Sequence, residues 1–546
     1  MFRPAQRRVS RGTFLAVTVL LAGLTSYAVN GLGSVVATAD AAPAGKGKPD
    51  KGDPPPPPPP VATVLAGAAA INIDPRPDLA DPIEFPLARW ETDPVKCATL
   101  SESFLAEVAA NTTEVVDHLA TAGSPWPENP DCVYMGGFGI GPMNPMTAVD
   151  PDHGLWVRAF AVGDGMDTAA VAVIDGEGWL WDYANKCDDC GSKQIAQTVA
   201  EATGIDPANV VVAATHAHSS PDFIGGWGFV PDWYMAQARD AIVAALTAAI
   251  TDKRPAMLET GEERARGFNR ERRDTYRSAE EQQLTWLRAV GVDANVQPVA
   301  DDVVFTVGAY AAHPTTYGTN DGTGHADWPG GFVDRLEERF GGVGIQLMTG
   351  LGNISASGMG RDGGQDRLAD LVPQVGAGHL VATTDLRIQQ TTWRQPVTNA
   401  PLSLLGVPGF FDRQFDAVPA TLQTGKSPDT APCLSGSEYS VELPATALRF
   451  GSDFLLTTGP GELFSNVTNT IKEQGAATVT MPISQANDAL GYMPQQFELN
   501  EVNQLGLGFV AGGYLIVNYE DSYAIDRCVG DMALETILGL AAATAS

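Results

Sequence analysis

The stretch Val211-Val-Ala-Ala-Thr-His-Ala-His-Ser-Ser-Pro-Asp222 places two histidines one residue apart at the end of an apolar run. In extended backbone, residues two apart point to the same side, so His216 and His218 would set two imidazoles together. That pairing suits a divalent metal, with one ring binding the ion and the other binding or positioning a substrate. A His-x-His pair alone is a weak signal. It gains weight because the chain has only 7 histidines and a third, His313, also closes an apolar run, in Tyr310-Ala-Ala-His-Pro-Thr-Thr316. Other reactive side chains fall at the same kind of place: Asp175 after residues 171–174, Ser355 after residues 345–352, and Glu462 just past residues 455–461. In open α/β sheets, ligands bind outside the carboxyl ends of the strands, where loops and helix N-termini converge. Plainer readings stand beside these: a strand-end histidine hydrogen-bonded to backbone, a glutamate favouring the positive end of the helix it opens, a serine in a Gly/Ser-rich turn.

The elements that must position these residues read as strands alternating with helices. Apolar runs rich in Val, Ile and Ala mark strands at 156–162, 168–174, 209–214, 303–311, 344–348, 454–458 and 477–481. Helical periodicity marks 193–203, 231–251, 331–340, 462–474 and 531–542. Such interleaving predicts an α/β fold with a mixed, largely buried central sheet flanked by helices and an active site at the carboxyl ends of strands. Residues 391–444 show little periodicity and many prolines, and are expected to form a long loop excursion.

The N-terminal region carries Arg3, Arg7, Arg8 and Arg11, an apolar run from Phe14 to Val29, and small residues through Ala39-Asp40-Ala41. This is the layout of a secretory signal, residues 1–41, cleaved near Ala41. Residues 42–61 include Pro54 to Pro60, which hold the chain extended and solvated as a spacer. No later stretch is so biased, so residues 62–546 are expected to form one catalytic domain. The formal charge of -31 becomes about -34 once the signal's net +3 is removed. Nucleic acid is a poor partner for such a surface, since phosphate binding needs a basic stripe. The 6 cysteines of an exported chain are most simply three disulfides. The pairing Cys97 with Cys132, Cys187 with Cys190 and Cys433 with Cys528 is one of about fifteen connectivities. A redox or zinc role for Cys187-Asp-Asp-Cys190 is the weaker alternative, because a zinc ribbon needs a second such pair.

Read in order, these segments resemble the catalytic domain of the neutral/alkaline, non-lysosomal ceramidase family. Thr215-His-Ala-His-Ser-Ser-Pro is similar to the family's T-H-T-H-S-G-P, and Gly352-Asn-Ile-Ser-Ala to its G-D/N-V-S-P around a catalytic serine. Ala66-Gly-Ala-Ala-Ala-Ile-Asn-Ile-Asp-Pro75, Met135-Gly-Gly-Phe138, Gly154-Leu-Trp-Val-Arg-Ala159, Gly267-Phe-Asn-Arg270, His325-Ala-Asp-Trp-Pro-Gly330, Gly459-Pro-Gly-Glu462 and Ala486-Asn-Asp-Ala-Leu-Gly-Tyr492 continue the likeness, across residues 64–540. The resemblance implies one zinc ion per chain, bound by His216, His313, Glu462 and Tyr492. It places Ser355, Arg270 and His218 beside the metal as catalytic residues, with Tyr519 a looser candidate for a second active-site tyrosine. By itself Arg270 reads as one charge in a solvated run.

Two imidazoles, a carboxylate and a phenol oxygen would leave zinc an open position, where water reaches a pKa of about 7 and a carbonyl is polarised. Ser355 would relay a proton, and Arg270 and His218 would stabilise the developing oxyanion. The resemblance therefore implies a zinc-dependent hydrolase acting on the N-acyl amide bond of ceramide or a related lipid amide, and the signal layout implies that it is secreted or extracytoplasmic. An amphiphilic substrate and transient contact with a membrane surface are expected, and no protein partner. Another amide or an ester is the alternative substrate, and a non-catalytic secreted binding protein the alternative class. The sequence departs from the family in Ala356-Ser357, where Pro-Asn is usual, in an unusually long segment at 84–130, and in lacking the C-terminal immunoglobulin-like domain of longer members.

Overall fold

Two sheets packed face to face, with helices on both outer surfaces, form the architecture of the computed structural model. It describes residues 62–97, 131–137, 144–184, 186–225, 230–273, 279–400, 402–403, 412–413, 415–425, 432–500 and 518–545. The expected signal, residues 1–41, and the spacer, residues 42–61, lie outside them, as does most of 84–130.

The larger sheet has nine strands among the described residues. Its elements are β1 (Val64–Asn72), β2 (Trp156–Gly163), β3 (Thr168–Ile174), β4 (Val210–Ala214), β5 (Arg254–Arg264), β6 (Gln283–Val292), β7 (Pro298–Tyr310), β8 (Val343–Met348) and the short β9 (His379–Leu380). The order is β8-β7-β6-β5-β1-β2-β3-β4, with β9 paired to β5. The centre is antiparallel and both ends are parallel: β7 with β8 and β3 with β4. Each parallel pair is joined through a helix, α1 (Ser192–Thr203) between β3 and β4, and α3 (Asp327–Phe340) between β7 and β8. Parallel neighbours require such a crossover. The sheet is thus mixed α/β, as the interleaved periodicities predict.

The second sheet has four strands, β10 (Leu386–Pro396), β11 (Ser440–Phe450), β12 (Phe454–Thr458) and β13 (Val479–Ile483). Alternation along the strands sorts side chains into layers. Val157, Ala159 and Ala161 of β2 pack against α1 and α2 (Asp232–Thr251). Phe160 and Val162 face the other way, meeting Leu448, Phe450, Leu456 and Met481 of the second sheet. That sheet's far side is covered by α4 (Ser465–Gln474) and α5 (Val529–Ala545), through Val467, Ile471, Val529 and Ile537.

Two expectations need correction. Residues 391–444 are not a single loop excursion: 391–396 complete β10, and 440–444 begin β11, in unbroken antiparallel register from Leu386↔Phe450 to Pro396↔Ser440. β10 lies at the sheet edge with a half-exposed face, so its Arg-Ile-Gln-Gln-Thr-Thr run has no need of an apolar alternation. Pro444 is tolerated because β12 pairs with β11 only from Ala447 onward, leaving no ladder bond for a missing N–H to break. The second correction concerns the helix expected from residue 462, which begins at Ser465. Glu462 lies before it in a two-residue strand whose parallel partner is Tyr492.

The disulfides are Cys97–Cys132, Cys187–Cys190 and Cys433–Cys528, the pairing the sequence favoured. Cys187 and Cys190 therefore hold no thiolate for a metal. Among the described residues no helix is long and apolar enough to cross a membrane.

Candidate metal centre and active site

Beyond the carboxyl end of β4 the chain does not continue as a strand. Its last strand residue is Ala214, and His216 takes φ +55°. The left-handed region costs a residue with a Cβ about 1–2 kcal/mol, so the two imidazoles converge through a strained turn rather than through strand alternation. Local ties hold the turn: Thr215 N donates to Ile174 O at 2.9 Å and His218 N to Pro314 O at 3.1 Å. The second bond joins the turn to the loop after β7, where His313 N donates to Ile354 O at 2.9 Å. Buried Asp327 braces that loop, accepting from Thr316 N at 2.8 Å, Tyr317 N at 2.9 Å and Thr316 Oγ1 at 2.6 Å.

The three imidazoles meet edge-on. Nε2 of His218 lies 3.4 Å from Nε2 of His216 and 3.1 Å from Nε2 of His313. Each Nδ1 faces a backbone carbonyl: His216 to Glu177 O at 2.6 Å, His218 to Gly137 O at 3.0 Å, His313 to Leu351 O at 3.2 Å. A carbonyl only accepts, so each Nδ1 carries the proton, and the Nε2 lone pairs of the neutral His218 and His313 point at one another. Glu462 Oε2 joins them, 3.6 Å from His216 Nε2 and 3.7 Å from His313 Nε2. This oxygen is buried and has no hydrogen-bond partner among the described residues. Clustered lone pairs with a buried, unpartnered carboxylate oxygen cost free energy unless a cation sits among them. Ligands about 2.0–2.2 Å from a zinc ion stand about 3.3–3.6 Å apart in a tetrahedron, close to the spacings found. His216, His218 and His313 could hold a metal ion, and the donor set fits zinc.

Electrostatics follow the geometry. Burial pulls His216 down, but the carboxylates of Glu177 and Glu462 outweigh it and push its pKa up to about 9. His218 and His313 are held well below 6.5, chiefly by burial, and by neighbouring His216 and Arg272. Tyr492 is pushed well above 10 by burial and by Glu462.

Tyr492 is buried and its ring stacks on His313, with centroids 6.2 Å apart. Its hydroxyl accepts from Arg272 Nη2 at 2.9 Å. Arg272 also donates to Glu520 at 2.8 Å and Gly352 O at 2.8 Å, and its guanidinium lies 5.3 Å from the Tyr519 ring. Tyr519 is 44% exposed and packs edge-on to Tyr492, with centroids 6.0 Å apart. Ser355 is bridged by its backbone to His313 and pairs in register with Arg270, on the short antiparallel pairing of Ile354–Ala356 with Asn269–Glu271. Arg270 is exposed, at the rim.

Two buried groups of the cluster escaped the sequence reading. Glu177 puts Oε1 3.5 Å from His218 Nε2 and 4.0 Å from His216 Nδ1. It lies two residues past Asp175, so extending the strand-end pattern by one short loop would have found it. Arg272 sits in a run of charges without periodicity, and nothing local marks it as the buried one. Asp175 serves backbone, accepting from Trp156 N at 2.9 Å.

A histidine–carboxylate centre at the carboxyl ends of strands, within a two-sheet α/β fold, is the class that fold and geometry define. No protein-family model and no curated protein sequence matches the chain. Among solved structures, its fold is similar to the neutral ceramidase of Pseudomonas aeruginosa, with a TM-score of 0.52 and 16% identity over 75% of this chain and 71% of that one. It is also similar to a ceramidase complexed with C2, with a TM-score of 0.53 and 15% identity over 89% and 75% of the two chains. At such identities the likeness is one of fold.

Proposed function

We propose that this chain is a secreted, zinc-dependent hydrolase that cleaves the N-acyl amide bond of ceramide or a related lipid amide. The observation that carries the reading is the convergence of three imidazoles, His218 Nε2 standing 3.4 Å from that of His216 and 3.1 Å from that of His313, with Glu462 Oε2 3.6 Å and 3.7 Å from the Nε2 atoms of His216 and His313. The shared fold with two ceramidase structures supports the choice of reaction, as does the order of the motifs from Ala66 to Tyr492.

In this reading His216, His313, Glu462 and Tyr492 would hold the ion, and His218 would serve as a further ligand or as a substrate contact. Zinc supplies Lewis acidity toward the amide carbonyl and lowers the pKa of water to about 7. The chain supplies the rest. Backbone carbonyls fix each ring by its Nδ1, so no reorganisation is needed as charge develops. Arg272 keeps positive charge beside the Tyr492 hydroxyl and orients it. Ser355, whose backbone bridges to His313, would relay to the departing amine the proton given up by the attacking water. Arg270 and Tyr519, both exposed, contact substrate at the mouth.

Zinc-supplemented assays with fluorescent ceramide, N-acyl amino acids and simple esters separate the readings. Ceramide turnover that stops in His216→Ala supports the proposal, and turnover of the esters alone moves the substrate class. Purified protein that neither contains nor takes up zinc leaves a binding protein on this scaffold.

A further inference from the structure

Glu177 has no place in the ligand set considered so far, yet its side chain is 2% exposed and its carboxylate approaches a different pair of histidines from the one Glu462 meets. Glu462 approaches His216 and His313, whereas Glu177 Oε1 lies 3.5 Å from His218 Nε2 and 4.0 Å from His216 Nδ1. The first spacing is one ligand-to-ligand edge around a cation with bonds of about 2.0–2.2 Å.

The side chain is built into this position. A Cβ on Gly136 would stand 2.7 Å from Glu177 Cβ and 2.8 Å from its Cγ, so the missing side chain at Gly136 makes its room. Glu177 N donates to Pro221 O at 3.1 Å and Gly136 N to Ser220 O at 3.1 Å, clamping both segments to the loop after His218. The backbone carbonyl of the same residue fixes the His216 ring. One residue thus orients one imidazole by its main chain and meets a second by its carboxylate.

We propose that Glu177 is the second carboxylate of the centre, a further donor that makes a divalent cation there electrically balanced and raises the affinity for it. With Glu462 alone, a divalent ion among neutral imidazoles leaves one positive charge buried. Glu177 removes it, and buried net charge is what a low-dielectric site tolerates least. This inference rests on the centre binding a cation and is independent of which substrate, if any, is cleaved.

The test is a zinc competition titration against a chromophoric chelator, on wild type, Glu177→Gln and Glu177→Asp, without substrate. Cobalt(II) spectra of all three follow, and circular dichroism of the metal-free forms checks folding. The isosteric Gln variant is expected to keep its fold, lose 10-fold to 100-fold in zinc affinity and shift the cobalt bands. The Asp variant, one methylene shorter but still charged, should fall between. Wild-type zinc binding with unchanged affinity and spectra in both variants overturns the role of Glu177 while leaving the centre intact. A wild type that binds no cation overturns both. Should Gln unfold the protein, the Asp variant decides: affinity equal to wild type rejects the proposal, and reduced affinity with altered bands supports it.

Discussion

The Nε2 atoms of His218 and His313 stand 3.1 Å apart although 95 residues separate them in the chain. Both rings have their Nδ1 on a backbone carbonyl and both are held neutral. Two lone pairs at that separation repel, and the cluster is stable only by virtue of what lies between them or the scaffold around them.

Metal removal should therefore destabilise the whole domain. A ligand bound by the native state alone, at about 1,000 times its Kd, contributes about 4 kcal/mol. A chelated sample is expected to melt several degrees lower, with recovery on adding zinc. His216→Ala should melt at one temperature with or without chelator. If wild type shows the same indifference, no cation is bound at the histidines.

The two arginines should separate kinetically. Exposed Arg270 pairs in register with Ser355, and under the proposed function its contribution would be to binding. Arg270→Ala is expected to raise KM several-fold with kcat little changed, the pattern of a contact equal in ground and transition states. Arg272 bonds Tyr492, Glu520 and Gly352. Arg272→Met should lower kcat by at least about 100-fold and, by stranding Glu520, destabilise by about 3–5 kcal/mol. Arg272→Lys, keeping charge without the planar fork, should recover stability better than kcat. Steady-state kinetics together with urea midpoints checks this, and a kcat effect confined to Arg270→Ala would reverse the assignment.

How far the sequence could be read depended on what each element buries. Strands 168–174 and 454–458 coincide with their expected limits, because both faces are covered and every residue must be apolar or small. The edge strand Leu386–Pro396 was invisible, since an edge with a wet face needs no pattern. The histidines stood out through rarity and their strand-end position, although the geometric reason given for their meeting was wrong: the turn at His216 brings them together. Glu177 and Arg272 carried no such mark. Burial of one charge among several is decided by tertiary packing, which leaves no periodicity to detect.

Stability should vary with pH through His153. Its Nδ1 lies 2.8 Å from Asp334 Oδ2 on α3. Burial lowers its pKa, but Asp334, with help from Asp175 and against Arg158, leaves it above the ordinary 6.5. A folded-state pKa above the unfolded value means stabilisation that is complete below about pH 6.5 and declines as pH rises through the folded value. Urea midpoints of wild type and Asp334→Asn at pH 5.5 and 8.5 test this. The difference between the two proteins should be larger at pH 5.5. A difference independent of pH would show that the pair does not titrate as described.

Gly137 and Gly165 both have positive φ, +82° and +96°, yet alanine should affect them very differently. At Gly165 a Cβ meets nothing within 4 Å, so Gly165→Ala carries only the left-handed penalty of about 1–2 kcal/mol and should leave activity unchanged. At Gly137 the added Cβ falls on the His218 imidazole, the ring whose Nδ1 the Gly137 carbonyl receives. The same backbone penalty is then joined by about 1–3 kcal/mol of overpacking, and the ring must leave its place beside His216 and His313. Gly137→Ala should lower kcat/KM by at least about 100-fold, since displacement of about 1 Å can cost that much, and weaken zinc binding, measured by metal content after dialysis. Equal losses in the two variants would mean that His218 has no role at the centre and that backbone strain alone accounts for the effect.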